Sequence, residues 1–316
     1  MASLFTARTT HYLPYIASAA VVGATAATYY SRQPRLHLDS AQNAPRPALS
    51  FPSSMVFPKQ LTVTKVEQVN HDTKKITFRL PGGESEVSGV PFGSAILTSH
   101  WPTPGYLPVF RPYTPISSPE DRGTLQLLVK QYPRGKASTH LHSLTPGSTL
   151  TVRGPIPAYS YTSSPTPRDL VMIAGGAGIT PIYSMARGIL SDPADKTRIT
   201  LLWGVNGTRD IVLQTELEEL EKGFPDRLQI TYCVSGPEGQ EGAADLSERG
   251  RYKKGYINSE VLKEAVGRAK AGGSWGDGKG TKVFVCGPPA MQEAIAGKKG
   301  ILGGEHGLVK KEVHLF

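Results

Sequence analysis

The chain has 316 residues, enough for one large domain or two of about 150 each. With 39% hydrophobic and 19% charged residues it is neither a disordered segment nor a charged solenoid, and its two cysteines, Cys233 and Cys286, exclude a disulfide scaffold and a zinc finger. The surplus of 35 Lys and Arg over 26 Asp and Glu gives a net charge of +9, which favours an acidic partner or an anionic ligand; no basic block of the kind that binds nucleic acid occurs.

Residues 1–38 carry Arg8, Arg32 and Arg35 and no acid; the first is Asp39. Within them Tyr12 to Tyr30 is uncharged, weakly apolar and bounded by tyrosines, close to the roughly 20 residues that cross a bilayer. An acid-free start with Arg, Ser and Thr reads as mitochondrial targeting. Residues 1–32 are therefore expected to be a targeting segment and membrane anchor, on the outer membrane or the intermembrane-space side of the inner one. A cleaved transit peptide or a secretory signal is the alternative, and the lone sequon Asn206-Gly207-Thr208 does not decide for secretion. Residues 33–58, with Pro34, Pro45, Pro47, Pro52 and Pro58, read as a semi-extended tether.

Residues 59–166 alternate apolar and polar side chains in short runs, as in Leu61–Val66, Lys75–Leu80, Leu125–Leu127 and Thr149–Val152. Bounded by Gly and Pro, such runs predict an antiparallel barrel or sandwich. Residues 167–316 change pattern. Leu170–Ala174, Ile199–Trp203 and Val283–Val285 are almost unbroken apolar runs, separated by helical stretches near Pro181–Leu190, Val212–Glu221, Ser259–Ala269 and Pro289–Ala296. That predicts a parallel sheet covered on both faces, a Rossmann-like nucleotide-binding half behind a β half. In Glu216–Glu221 the acids share a helix with Leu217 and Leu220, an amphipathic face in solvent.

Four segments carry chemistry. Gly175-Gly176-Ala177-Gly178-Ile179-Thr180-Pro181 follows the first buried strand, with Thr180 as helix cap and Pro181 in the first turn. Its glycines let backbone approach a ligand, and the helix start offers free N–H groups to a pyrophosphate. Cys286-Gly287-Pro288-Pro289-Ala290-Met291 ends the last apolar strand in the same way, over the crevice where α/β ligands bind. Cys286 has no neighbouring base and is not read as a nucleophile. In the β half, Arg111-Pro112-Tyr113-Thr114-Pro115 combines a guanidinium for phosphate, an aromatic plane and a hydroxyl. The two prolines are expected to keep the strand free for a ligand. Gly135-Lys136-Ala137-Ser138 adds donors for a diphosphate, and no metal is assigned to His140-Leu141-His142.

The ordered segments RPYTPIS, LLVKQYPRGKASTHLHSL, GPIPAY, GGAGITP and CGPPAM resemble the NADH–cytochrome b5 reductase family of ferredoxin-reductase-type flavoproteins over about residues 60–316, closest to its fungal mitochondrial branch. The resemblance implies an FAD-binding barrel followed by an NAD(P)H-binding half. It implies hydride passing from NADH, with NADPH possible, through FAD to a one-electron acceptor such as cytochrome b5, an acidic haem protein. Arg111, Pro112, Tyr113 and Thr114 match the FAD strand, with Thr114 near the reacting edge. Leu128 and Lys130 match the next flavin strand, and Gly135, Lys136, Ala137 and Ser138 the phosphate segment. Gly175, Gly176, Ala177, Gly178 and Thr180 match the pyridine-nucleotide loop. Cys286, Gly287, Pro288 and Met291 match the nicotinamide side, with Cys286 framing the ring, and Phe316 matches the aromatic end.

Three positions depart from the family. Ala137 replaces a Met, and Ala177 replaces a Thr that contacts FAD, a loss of about 1 kcal/mol. Ser235 replaces an Asp that would accept from the adenosine ribose and repel a 2′-phosphate. With Arg249 and Arg251 downstream, a weakened exclusion of NADPH is expected. Two other readings remain: a haem or quinone assembly reductase of the same fold, and a weakly active flavin-binding assembly factor.

Overall fold

A computed structural model describes residues 44–102, 107–157, 159–236, 251–271 and 283–316. The expected anchor over residues 1–32 and the first stretch of the tether lie outside the described residues. Among the described residues no helix is long and apolar enough to cross a membrane.

Residues 44–58 are not a free tether. Strand β1 (Arg46–Pro47) pairs with β4 (Glu86–Val87), and Ala48 and Leu49 are buried in the core of the β half. Helix α1 (Ser53–Val56) then lies against that half, where the Arg153 guanidinium donates to the Met55 carbonyl at 3.2 Å. Two apolar side chains among the prolines suffice to fasten the segment, a signal the proline count hides.

The β half is a six-stranded antiparallel sheet in the order β6-β5-β8-β2-β3-β7. Its strands are β2 (Lys59–Gln68), β3 (Thr73–Arg79), β5 (Ala95–His100), β6 (Val109–Tyr113), β7 (Thr124–Lys130) and β8 (Thr149–Ile156). Alternation works as read: Leu61 and Val63 of β2, Ile76 and Phe78 of β3 and Leu150 and Val152 of β8 face one core. The barrel does not close by pairing β6 with β7. Beyond Tyr113 the chain leaves β6 through Thr114 and Pro115, and meets the edge of β7 only at Gln126, whose carbonyl accepts the Ile116 N–H and whose N–H donates to the Ser117 hydroxyl, both at 3.0 Å. Pro112 does pair, opposite Leu97, and a residue without N–H is tolerated because β6 is an edge strand. The other edge of β6 is thereby left along a cleft. Helix α2 (Lys136–Ser143) packs against β5, β6 and β7.

The second half is an all-parallel sheet in the order β12-β11-β10-β9-β13-β14. It comprises β9 (Asp169–Gly175), β10 (Arg198–Val205), β11 (Leu228–Val234), β12 (Tyr252–Lys254), β13 (Val283–Cys286) and β14 (Val313–Leu315). Every residue of β9 is buried, as expected for a strand covered on both faces. The covering helices are α3 (Ile179–Ser191), α4 (Gln214–Gly223), α5 (Ser259–Ala271), α6 (Pro289–Ala296) and α7 (Ile301–Gly304). The amphipathic reading of α4 fails at Glu221. This residue is buried, accepts the Ile230 N–H at 3.1 Å and pairs with Arg251 at 2.6 Å.

From β9 the chain builds one way to β12, then returns to place β13 on the other side. The topological switch, where α/β sheets bind ligands, lies between the ends of β9 and β13. Helix α3 faces the β half: Ile116 and Leu128 join its Ile179, Ile182 and Ala186 in one core, and the Gly93 N–H donates to the Ser184 hydroxyl at 3.1 Å.

Candidate active site

The free edge of β6, the start of α2 and the ends of β9 and β13 converge on a cleft of about 1440 Å³. It exceeds the roughly 300–1,000 Å³ that holds one drug-sized ligand, and suits an extended ligand with two ring systems. Eighteen predicted residues line it. From the β half come Arg111, Pro112, Tyr113, Thr114, Leu128, Lys130, Gly135, Lys136, Ala137 and Ser138. From the parallel half come Gly175, Ala177, Gly178, Thr180, Cys286, Gly287, Pro288 and Phe316.

At one end the cleft is cationic. The Arg111 guanidinium donates to the Phe110 carbonyl at 2.7 Å and has no carboxylate partner among the described residues. Lys136 opens α2, whose first internal bond is from the Thr139 N–H to the Gly135 carbonyl at 2.9 Å, so the N–H groups of Lys136, Ala137 and Ser138 precede the helical ladder. Ser138 differs from expectation. Its buried hydroxyl accepts from the Tyr132 N–H at 3.1 Å and donates to the Gly135 carbonyl at 3.0 Å, closing the turn rather than facing a ligand. A Cβ at Gly135 would lie 2.6 Å from that oxygen, so the glycine is required.

The middle is flatter and less polar. Thr114 and Leu128 are buried, and burial pushes the Tyr113 phenol up to about 12, so it stays neutral. Lys130 is not turned into the ligand space alone: its ammonium meets Asp72 at 2.9 Å and Asp210 at 3.2 Å.

At the other end two backbone turns meet. Gly176 has φ +50°, and Gly176–Gly178 form a 3-10 turn running directly into α3. The helix therefore begins at Ile179, two residues earlier than a Thr180 cap allows, and Thr180 instead donates to the Ala177 carbonyl at 3.3 Å. Gly178 is packed on the Cys286 carbonyl. Burial pushes the Cys286 thiol up to about 11, a neutral wall rather than a nucleophile. Met291 does not line the cleft; it packs behind Gly175 and Gly287, whose missing side chains make its place. Gly176 also falls outside the lining, and its carbonyl accepts from the Trp203 indole at 3.1 Å.

Ser235 lies outside the cleft, at the end of β11. Arg251 does not reach that end, since its pair with Glu221 holds it at the start of β12; Arg249 lies outside the described residues. The two histidines of α2 diverge. His140 stacks on His100 with centroids 4.1 Å apart, and the His142 ring meets the Val129 carbonyl at 2.7 Å.

Sequence reasoning missed Tyr132, Arg134 and His314 in the lining. Arg134, at φ +60°, belongs to the turn Pro133-Arg134-Gly135, legible as a turn but not as ligand-facing. His314 follows from alternation with Phe316 along β14. Its ring meets those of Phe316 and Tyr159 edge-on, and burial lowers its pKa.

The residues present fit a flavin dinucleotide beside a second nucleotide: cations and free N–H groups for a diphosphate, a flat partly apolar middle, and a glycine-walled end that admits a second ring. The class this defines is a flavin- and pyridine-nucleotide-dependent oxidoreductase. Comparison with known proteins agrees. The model of the oxidoreductase FAD-binding domain matches residues 60–161, and that of the oxidoreductase NAD-binding domain residues 172–297. Proteins named NADH-cytochrome b5 reductase 2 from Phaeosphaeria nodorum and Pyricularia oryzae are each 40% identical over 81% of this chain, covering 74% and 71% of their own lengths. The cytochrome b5 reductase domain of Ulva prolifera nitrate reductase superposes with a TM-score of 0.69 at 29% identity, over 85% of this chain and 100% of that one. The chain belongs to the NADH–cytochrome b5 reductase family.

Proposed function

We propose that this protein is an FAD-dependent reductase that takes a hydride from NADH and delivers single electrons to a cytochrome b5-type haem protein. The observation that carries the reading is the convergence of Arg111–Thr114 and the start of α2 with the two glycine turns after β9 and β13 in one cleft. When bound, FAD supplies the chemistry, accepting a hydride and releasing electrons one at a time. The protein binds and orients. Arg111, Lys136 and the first N–H groups of α2 hold the two phosphates. Tyr113, Leu128 and Thr114 line the part of the cleft that would bed the flat ring, where the Thr114 hydroxyl would serve as a hydrogen-bonding group. Gly178 and Cys286 would leave a slot for the nicotinamide ring, and the neutral thiol would keep charge away from it. Holding the rings in contact converts the transfer into an effectively unimolecular step.

The net charge of +9 favours an acidic acceptor by steering. Membrane attachment through residues 1–32, at a mitochondrial membrane, belongs to the same reading; it is supported by the acid-free start and the uncharged Tyr12–Tyr30 stretch. The test is anaerobic rapid mixing. NADH should bleach the flavin band, and oxidised cytochrome b5 should then restore it as its haem is reduced. Bleaching without haem reduction would favour an assembly reductase with another acceptor; no bleaching would leave only the assembly-factor reading.

A further inference from the structure

We infer that the His314 imidazole takes up a proton when the flavin held in this cleft is reduced, and gives it back when the electrons leave. This rests on the reading above, in which FAD lies in the cleft. Among the described residues no Asp or Glu lines the cleft, and His314 is its one imidazole.

The cations of the cleft are already committed. Arg134 and Lys136 flank Gly135 where α2 opens, and with Arg111 they serve the diphosphate. The Lys130 ammonium is held by Asp72 at 2.9 Å and Asp210 at 3.2 Å. Burial keeps the remaining acids neutral: the Tyr113 phenol is pushed up to about 12, the Cys286 thiol to about 11, and Tyr132 also rises. A negative charge appearing on the flat ring therefore meets no free cation unless His314 becomes one.

His314 stands in β14, paired with Phe284 of β13, the strand whose end walls the cleft. Its ring meets Phe316 edge-on at 5.0 Å and Tyr159 at 5.1 Å, and lies 5.8 Å from Phe284. These are ring contacts only; the imidazole makes no hydrogen bond or ion pair among the described residues. In the turn before β14, Lys310 and Lys311 are exposed, and the Glu312 carboxylate accepts the Val309 N–H at 2.9 Å. Burial lowers the His314 pKa, so beside an uncharged oxidised ring the imidazole is neutral at pH 7.

Reduction changes its surroundings. A hydride adds a proton and two electrons, leaving the ring with one negative charge, which acts strongly across a cleft shielded from water. That charge favours the protonated imidazole, and solvent supplies the proton. The balance is NADH, FAD, one proton and neutral His314 giving NAD+, FADH− and protonated His314. On reoxidation two electrons pass singly to two acceptor molecules, and two protons leave, one from the flavin and one from His314.

The test is spectroelectrochemical titration of the FAD-loaded full chain from about pH 5 to about pH 9, which brackets the ordinary histidine value. For two electrons, each proton taken up contributes about 30 mV per pH unit, the equivalent of a tenfold change in equilibrium constant. The wild-type potential should fall by about 60 mV per pH unit between the two pKa values of the imidazole, and that of His314→Phe, which keeps the ring cluster, by about 30 mV throughout. His314→Gln should behave as His314→Phe does. Histidine-labelled NMR should show one imidazole, missing from His314→Phe, whose pKa rises by about one unit or more on reduction. The same pH dependence in wild type and both variants, or a His314 pKa unmoved by reduction, overturns the proposal. An electrode drives the reduction, so neither result depends on NADH as donor. A wild-type chain that does not hold FAD would instead overturn the reductase reading, and this proposal with it.

Discussion

Lys130 and Asp210 belong to different halves of the chain and meet at 3.2 Å. Lys130 ends β7 of the antiparallel half, while Asp210 closes the turn after β10, where its other oxygen accepts the Gly207 N–H at 2.9 Å. Asp72, from the β2–β3 turn, holds the same ammonium at 2.9 Å, and the nearby Asn70 amide donates to the Arg209 carbonyl at 3.0 Å. The pair therefore ties the two halves together beside the cleft in which two rings must stay in contact.

The pH dependence of this tie has a definite sign. Burial pushes the Asp72 carboxyl up, but the bonds from Lys130 and Thr73 and the charges of Lys130 and His71 outweigh it, leaving its pKa below the ordinary 3.8. Burial likewise pushes Lys130 down, and its two carboxylates outweigh that, leaving it above 10.5. The stabilisation is therefore fully present between 3.8 and 10.5, lost as pH falls below the first and as it climbs above the second. Asp72→Asn should lower the melting temperature by about 2–4 °C at neutral pH, the shift expected for roughly 1 kcal/mol in a protein of this size. The deficit should shrink as the pH is taken below 3.8. Melts of both proteins across that range check it; a constant difference would mean that Asp72 acts through packing.

Arg111→Ala should weaken FAD binding by about 1.5–3 kcal/mol, the range for a charge-assisted contact to phosphate. The guanidinium has only the Phe110 carbonyl as partner among the described residues, so its removal orphans no buried carboxylate there and should leave the fold stable. Fluorescence titration of apoprotein with FAD measures the change. Retention of wild-type affinity would remove Arg111 from the phosphate site.

Most of the fold was legible because periodicity reports burial directly. Leu61 and Val63 alternate to one core, and Leu170–Ala174 is apolar throughout because β9 is covered on both faces. The glycine turns after β9 and β13 were legible for a related reason: only glycine allows backbone to lie as close as Gly178 does to Cys286. What periodicity cannot report is partnership between distant segments. Nothing near Lys130 in the chain announces Asp72 or Asp210, and nothing near Arg251 announces Glu221. A hydroxyl in Gly135–Ser138 suggests a phosphate contact for Ser138. The competing local bonds to Gly135 and Tyr132 are invisible without coordinates.

The anchor proposed above predicts that deleting residues 1–31 releases an active reductase from membranes. The cut spares Ala48 and Leu49, which are buried in the core of the β half and should be retained in any shortened chain. Fractionation of cells carrying a fluorescent fusion of the full chain should find it with mitochondrial membranes. A uniformly cytosolic full-length protein would refute the anchor.

The glycine at 178 offers the sharpest test of the cleft. Its φ of −62° is one that any residue adopts, so an alanine there brings no backbone strain. The obstacle is contact alone: a methyl group would overlap the Cys286 carbonyl and lie 2.9 Å from the Gly287 nitrogen, both backbone atoms that cannot rotate away. Gly178→Ala should therefore push the two turns apart, at a cost of about 1–3 kcal/mol in stability. Because the same turns wall the slot for nicotinamide, reduction of bound flavin by NADH should slow about tenfold or more, as misplaced rings lose their contact geometry. FAD affinity should not change, since Arg111 and the start of α2 lie at the opposite end of the cleft. Rapid-mixing reduction and FAD titration of the same preparation separate the two effects. A Gly178→Ala protein that is destabilised yet reduced by NADH at the wild-type rate would place the nicotinamide elsewhere in the cleft.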